Sequence, residues 1–285
     1  MITLLPTPIG NLGDVSLRML EALAQSEVVL CEDTRVTKKL IALLQKNPLI
    51  TQNFPGIFAP KIFHAFHSHN QEEFLDSLEK NALDLRVRNV VFLSDAGMPC
   101  INDPGALLVS YAQREGIAYD VLPGSNACVL AYCMSGIVGD GFIFGGFLPH
   151  KQGERKKILE TFLTQQASSP KKMSVIFYES PHRILDSLRD LCDIEEDCGV
   201  FAIKEMSKKN QKFFAGSARE VWKILQNQNI QGEWVLLLST TKKPKSSLGA
   251  EEIKLMDLPP KIKAKLLSRL GLGDVKSIYA NLMEK

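Results

Sequence analysis

The sequence predicts an α/β protein made of two α/β halves, followed by a small C-terminal helical segment. Three observations carry that prediction. Short apolar runs such as Val90-Val91-Phe92-Leu93 alternate with segments of helical spacing, the pattern of a mostly parallel sheet with helices on its faces. The pattern resumes after Pro123-Gly124, which closes the first half. From Lys242 onward the chain turns to Lys, Pro, Ser and Gly, the composition of a linker, before apolar spacing returns. The halves are placed at 1–122 and 123–241, and the linker with its basic tail at 242–285.

In order, Ile2–Leu5 reads as the first strand, and Pro6–Asp14 as a turn rich in Pro, Gly and Asn. Ser16–Gln25 has apolar residues at 17, 20 and 23, with Ser16 or Asp14 as cap. Strands are expected at Glu27–Cys31, Ile62–Phe66, Val90–Leu93 and Gly116–Leu122. Helices are expected at Thr37–Gln45, Asn70–Lys80 and Ala106–Ala112. In the second half the helices are Asn126–Met134, Glu154–Leu163, Ile184–Cys192 and Ala218–Gln226. Its strands are Phe142–Leu148, Met173–Tyr178, Gly199–Lys204, Lys212–Ala215 and Trp234–Ser239. Pro260–Glu284 makes two short helices around Gly271-Leu272-Gly273.

Composition narrows the class. With 45% hydrophobic and 23% charged residues, the 285-residue chain reads as a globular protein. It has no apolar run of membrane-spanning length, and Met1–Leu5 lacks the features of a signal peptide. The six Cys show no CxxC pair and read as reduced packing residues, so a cytoplasmic setting is expected. The net charge of +2 divides unevenly. Residues 242–285 carry ten Lys/Arg and five Asp/Glu, so the remaining residues are net acidic. Such a tail is either a solvated terminus or a contact for phosphate.

The densest motif is Ser94–Gly105, with two Gly, two Pro and two Asp between a strand and a helix. It reads as a capped turn or as a ligand loop at the carboxyl end of a parallel strand. Similar clusters stand at Pro6–Asp14, Glu32–Arg35, His67–Asn70, Pro123–Asn126, Tyr178–Arg183 and Lys204–Lys208. If the sheets are parallel they converge on one rim, as a large cleft for an extended ligand needs. The phosphate-loop, dinucleotide and nucleophile-elbow signatures are absent. His64, His67 and His69 do not share one strand face and read as a polar loop rather than a metal site.

The runs Pro6–Leu12, Cys31-Glu32-Asp33-Thr34-Arg35, Ser94–Gly97, Asp103-Pro104-Gly105, Gly146–Pro149 and Phe177-Tyr178-Glu179-Ser180-Pro181-His182-Arg183 resemble the ribosomal RNA small-subunit methyltransferase I family, of the tetrapyrrole methylase superfamily. The resemblance covers nearly the whole chain. It implies a tetrapyrrole methylase-like dimer that binds S-adenosyl-L-methionine between its α/β domains. It also implies methylation of the ribose 2′-oxygen of a decoding-centre cytidine in small-subunit ribosomal RNA. Carried over by position, the cofactor site takes in Thr7, Pro8, Ser94, Asp95, Ala96, Gly97, Ile101, Ser125, Asn126 and Tyr178. Asp103-Pro104-Gly105 is assigned to shaping the loop. The chain departs from the family pattern at Met98, Cys100 and Asn102, and at Ser207–Lys212, where Lys replaces acidic groups.

Methyl transfer to a hydroxyl calls for a base. The candidates are Glu32, Asp33, Glu179, His182 and Glu205, with Arg35, Arg183, Lys204 and Lys208 as phosphate contacts. Glu32, Arg35, Lys204 and Glu205 are the catalytic candidates, and Asp33, Asn70, His182, Arg183 and Lys208 the substrate-binding ones. Each of these charges has a second reading as a salt bridge between loops. No metal is expected. Two other readings remain at this point: a tetrapyrrole carbon methyltransferase, and an RNA-binding protein with a vestigial cleft.

Overall fold

The computed structural model describes residues 1–78, 83–242 and 249–283. The first sheet has β1 (Ile2–Leu5), β2 (Val28–Cys31), β3 (Ile62–Ala65), β4 (Val90–Leu93) and β5 (Tyr119–Val121) in the order β3-β2-β4-β1-β5, with every pair parallel. Its connections carry α1 (Leu17–Gln25), α2 (Thr34–Leu44), α3 (Pro48–Asn53), α4 (Gln71–Ser77) and α5 (Ala106–Arg114). β1, β2 and β4 are buried along their whole length, which is why they read as continuous apolar runs. Side chains alternate between the two faces. Ile2, Leu4, Val28, Leu30, Val90 and Phe92 join one core, and Leu5, Val29, Cys31, Val91 and Leu93 the other. Burying each such side chain fully stabilises the fold by roughly 1.5–3 kcal/mol.

Helix starts follow local chemistry. The Ser16 hydroxyl accepts the Met19 N–H and sets the start of α1. The Asp33 carboxylate accepts the Arg35 N–H, so α2 begins at Thr34 rather than at the expected Thr37. Residues 79–80 of the helix expected to reach Lys80 lie outside the described residues, as do residues 243–248 of the expected linker.

The second sheet contains β6 (Gly141–Phe147), β7 (Met173–Glu179), β8 (Gly199–Lys204), β9 (Lys212–Ser217) and β10 (Trp234–Ser239), ordered β6-β7-β10-β8-β9. The first sheet has the expected parallel arrangement, whereas the second is mixed and does not meet the condition of parallel strands. Only β6 and β7 pair in parallel; β10 runs antiparallel between β7 and β8, and β8 and β9 are an antiparallel pair joined through 205–211. Apolar spacing reports burial and not direction, so sequence does not distinguish these arrangements. The carboxyl ends of β7 and β8 nonetheless share one edge, because Trp234 at the start of β10 is opposite both Glu179 and Lys204. α7 (Gln152–Ser168), α8 (Ile184–Glu195) and α9 (Ala218–Leu225) contribute Leu159, Leu188 and Val221 to the core on one face. α6 (Ala127–Ser135) contributes Cys128 and Ala131 to the core on the other.

By packing, Met1–Gln166 with Lys171–Thr241 form one body, and Ala167–Pro170 with Lys242–Lys285 a second. The second carries α10 (Ala250–Leu255), α11 (Pro260–Arg269) and α12 (Val275–Met283), with Ile253, Ala264 and Leu267 buried.

Candidate functional site

Within the first body, the loops at the carboxyl ends of both sheets enclose a cavity of 440 Å³, within the size range of small-ligand sites. The β4–α5 loop supplies the largest share: Asp95 through Met98, and Ile101 through Asp103. Ile9 comes from the turn after β1 and Glu32 from the end of β2. Asn126 and Ala127 at the head of α6 and Phe147 at the end of β6 complete that side. The lining is completed by Tyr178 through Pro181 at the end of β7, Met206 just after β8, and Glu233, Trp234 and Val235 at the start of β10.

Backbone hydrogen bonds hold the first two loops together. The Thr7 and Gly97 main chains exchange both hydrogen bonds, at 2.9 and 3.1 Å. The Thr7 hydroxyl donates to the Ser94 carbonyl, and the Ser94 hydroxyl to the Gly97 carbonyl, so both polar side chains are spent on loop geometry. The Asn126 side chain caps α6 by accepting the Val129 N–H. Tyr178 packs edge-on against Phe144 and Phe147. Burial, with Cys128 and Asp103 nearby, pushes its hydroxyl up to about 12.

Of the five acidic residues that line the cavity, Glu32, Asp95 and Asp103 lie close enough to act on one another. Burial, then the charge of Asp95, raises Glu32, while the Asp95 N–H that it accepts partly offsets this. Asp95 is raised by burial and accepts the Asp33 N–H at 3.1 Å. Burial and the charges of Glu32 and Asp95 push Asp103 up to about 7. The sequence motif marked the loop but assigned Asp103 only to its shape; its strand-end position among other acidic clusters was the available signal. Glu179 is buried and fully engaged: it accepts from the Ser180 N–H, the Arg183 guanidinium and the Ser187 hydroxyl.

Other candidates lie elsewhere. Arg35 is exposed and forks onto Asp33, which it holds down at about 2. Lys204 is buried, with its ammonium on the Asn229 carbonyl. Glu205 accepts from Lys208 and from the Glu233 N–H, and Lys208 also reaches Glu233. Asn70 clamps its own loop, accepting from the His67 N–H and donating to the Ala65 carbonyl. Arg183 is held on Glu179, and His182 is exposed. None of Arg35, Lys204, Glu205, Lys208, Asn70, His182 or Arg183 lines the cavity, and neither do Thr7, Pro8, Ser94 or Ser125. Sequence reasoning missed Phe147, Met206 and Glu233–Val235; the last opens an antiparallel strand and carries no strand-end signal. Among the described residues no cluster suits a metal ion.

Residues 1–221 match the family model of tetrapyrrole (corrin/porphyrin) methylases. The ribosomal RNA small subunit methyltransferase I of Helicobacter pylori strain J99 is 48% identical, over 98% of this chain and 96% of its own. That of Campylobacter fetus is 40% identical, over 99% and 100%. Among solved structures, a diphthine synthase superposes with a TM-score of 0.57 at 14% identity, covering 84% of this chain and 90% of its own. A uroporphyrin-III C-methyl transferase from Thermus thermophilus, complexed with S-adenosyl homocysteine, gives 0.50 at 18% identity, covering 82% and 96%. The chain belongs to the tetrapyrrole methylase family and, within it, to the ribosomal RNA small subunit methyltransferase I proteins.

Proposed function

We propose that this chain uses S-adenosyl-L-methionine to methylate the ribose 2′-oxygen of a decoding-centre cytidine in small-subunit ribosomal RNA, acting in the cytoplasm as a homodimer. The observation that carries the reading is one cavity lined by loops from both sheets. Its chemistry fits the cofactor. Ile9, Ala96, Ile101, Phe147, Tyr178 and Val235 give it apolar walls for an adenosyl group. The carboxylates of Glu32 and Asp95 suit a ligand that carries an ammonium and a sulfonium. The 48%-identical relative named for ribosomal RNA methylation gives the substrate class. The exposed apolar Val129, Leu130 and Met134 on α6 support a second copy as partner.

When bound, the cofactor supplies a methyl group activated on a sulfonium. The protein's part is to orient it and to exclude water. Backbone groups of Asp95–Gly97, fixed by the Thr7–Gly97 pairing, are placed to hold the polar end of the ligand. Tyr178 and Phe147 wall off the apolar part. The clamp of Glu179 on Ser180, Arg183 and Ser187 keeps the Ser180-Pro181 wall in place. Orientation of this kind supplies about 7–11 kcal/mol of the barrier. Arg35, exposed in the first turn of α2, is the cation offered to phosphate.

The test is to incubate the protein with labelled S-adenosyl-L-methionine and undermethylated small ribosomal subunits, then map the label. Label on a cytidine ribose of the decoding centre is expected. Label on a base, transfer only to a tetrapyrrole, or RNA binding without transfer would each overturn the reading.

A further inference from the structure

We infer that Asp103 is the proton acceptor for the hydroxyl that is methylated, an assignment that rests on the function proposed above. The argument begins with the backbone. Cys100, a non-glycine residue, sits at φ 69, and Gly105 at φ 128. Sparsely populated conformations persist only where the surroundings enforce them, and they cluster at working sites. Here the Cys100 N–H donates to the Pro104 carbonyl across the turn. A Cβ on Gly105 would stand 2.9 Å from the Cys100 sulfur and 3.1 Å from the Phe92 ring, so no side chain fits there. Pro104 and Gly105 are buried. The turn is thus pinned on both sides of Asp103, whose side chain is left at the cavity wall.

The other acids of the cavity are already occupied. Glu179 accepts from a backbone N–H, a guanidinium and a hydroxyl, and taking a proton would cost it those bonds. Asp95 accepts from Asp33, and Glu32 from the Asp95 N–H. Glu233 is bound to Lys208. Among the described residues Asp103 has no hydrogen-bond or ion-pair partner, so its carboxylate can turn to a ligand hydroxyl. The titratable groups facing it are Glu32, Asp95, Cys100 and Tyr178, none of them cationic. With a value of about 7, it has base and conjugate acid together at neutral pH, the condition for efficient proton transfer.

The step balances without further reagents. The carbon–oxygen bond forms as the carbon–sulfur bond of the sulfonium breaks, the sulfide leaves neutral, and the hydroxyl proton passes to the Asp103 carboxylate. It then returns to solvent through the open cavity.

The test compares the wild type with Asp103→Asn on undermethylated small subunits, and follows both proteins by infrared spectroscopy without substrate. The variant is expected to lose about 10²–10⁴-fold in kcat, with its affinity for S-adenosyl-L-methionine essentially unchanged. The wild-type kcat should rise with pH through an acid limb near 7, and the variant's should not. A protonated-carboxyl band titrating near neutral pH should appear in the wild type alone. Full turnover by the variant overturns the assignment, as does a loss confined to cofactor affinity. Absence of the band from the wild type overturns it whether or not the variant folds. Wild type that binds the cofactor but modifies no ribosomal RNA overturns the functional reading, and the assignment with it.

Discussion

Thr7 and Gly97 exchange two backbone hydrogen bonds and so tie the turn after β1 to the loop after β4 at the wall of the cavity. Gly97 adopts φ 86, and a Cβ there would lie 3.2 Å from the Ile9 side chain and 3.5 Å from the Ser125 carbonyl. Gly97→Ala therefore meets both an unfavourable backbone conformation, costing about 1–2 kcal/mol, and a crowded contact that moves Ile9. Cofactor affinity, measured by calorimetry, is expected to fall more steeply than stability measured in urea. A variant that binds S-adenosyl-L-methionine as the wild type does would show that this pairing does not shape the ligand site.

The Glu179–Arg183–Ser187 clamp gives a stability test. Glu179→Gln leaves the Arg183 guanidinium, only 12% exposed, without its charge partner. Breaking a buried pair by removing one member costs about 3–5 kcal/mol. Ser187→Ala removes one hydroxyl donor to the same carboxylate and is expected to cost about 1–3 kcal/mol. Denaturation midpoints check both, and equal midpoints for Glu179→Gln and the wild type would contradict the clamp.

What the sequence disclosed follows from these physics. β1, β4, β8 and β10 have the limits their sequence predicts, because strands buried on both faces leave short, predominantly apolar runs. Helix limits moved by a few residues where a cap decided them, as at Asp33. α3 and α10, at six residues each, were too short to show a period. The Gly, Pro and Asp content of Ser94–Gly105 exposed the loop after β4, since backbone that approaches a ligand needs those residues. Two things were hidden. Strand direction in the second sheet concealed Glu233–Val235, and charge alone made Lys204 resemble a phosphate contact when its ammonium is spent on a carbonyl.

Arg35 and Lys204 separate those two uses of positive charge. Arg35→Ala removes a side chain that is 88% exposed, so stability should change by less than about 0.5 kcal/mol. RNA affinity should nevertheless fall, and the salt dependence of binding with it. Lys204→Ala should act in the reverse sense, lowering stability by about 1–3 kcal/mol as the Asn229 carbonyl loses its donor, with the salt dependence unchanged. Filter binding across a salt series, alongside urea melts, resolves the pair.

The raised Asp103 carboxyl also fixes how stability changes with pH. Its folded value of about 7 lies above the ordinary 3.8, so the folded state holds its proton more tightly than the unfolded chain does. The favourable contribution is complete below the unfolded value and is lost as pH rises through about 7. Asp103→Asn should thus stabilise the protein relative to wild type increasingly between pH 4 and 7. The gain should reach about 1–2 kcal/mol above that range, after allowing for solvent screening in an open cavity. Urea midpoints of both proteins across this range check the sign. A difference that stays constant with pH would place the Asp103 value in the ordinary carboxylate range.

The basic tail bears on RNA rather than on the cofactor. Residues 242–285 carry ten Lys/Arg against five Asp/Glu, and the packing places them outside the body that holds the cavity. Cutting the chain after Thr241 removes them and leaves every cavity-lining residue in place. Each Lys or Arg that neutralises a phosphate releases counterions, and the salt slope of binding falls by about 0.7–0.9 for every phosphate no longer neutralised. The truncated protein is therefore expected to bind S-adenosyl-L-methionine as the full chain does. Its binding to small-subunit RNA should be weaker, and the plot of log affinity against log salt shallower by several such increments. Cofactor and RNA affinity falling together would instead make the tail a folding element. An unchanged slope would mean that its lysines face solvent throughout.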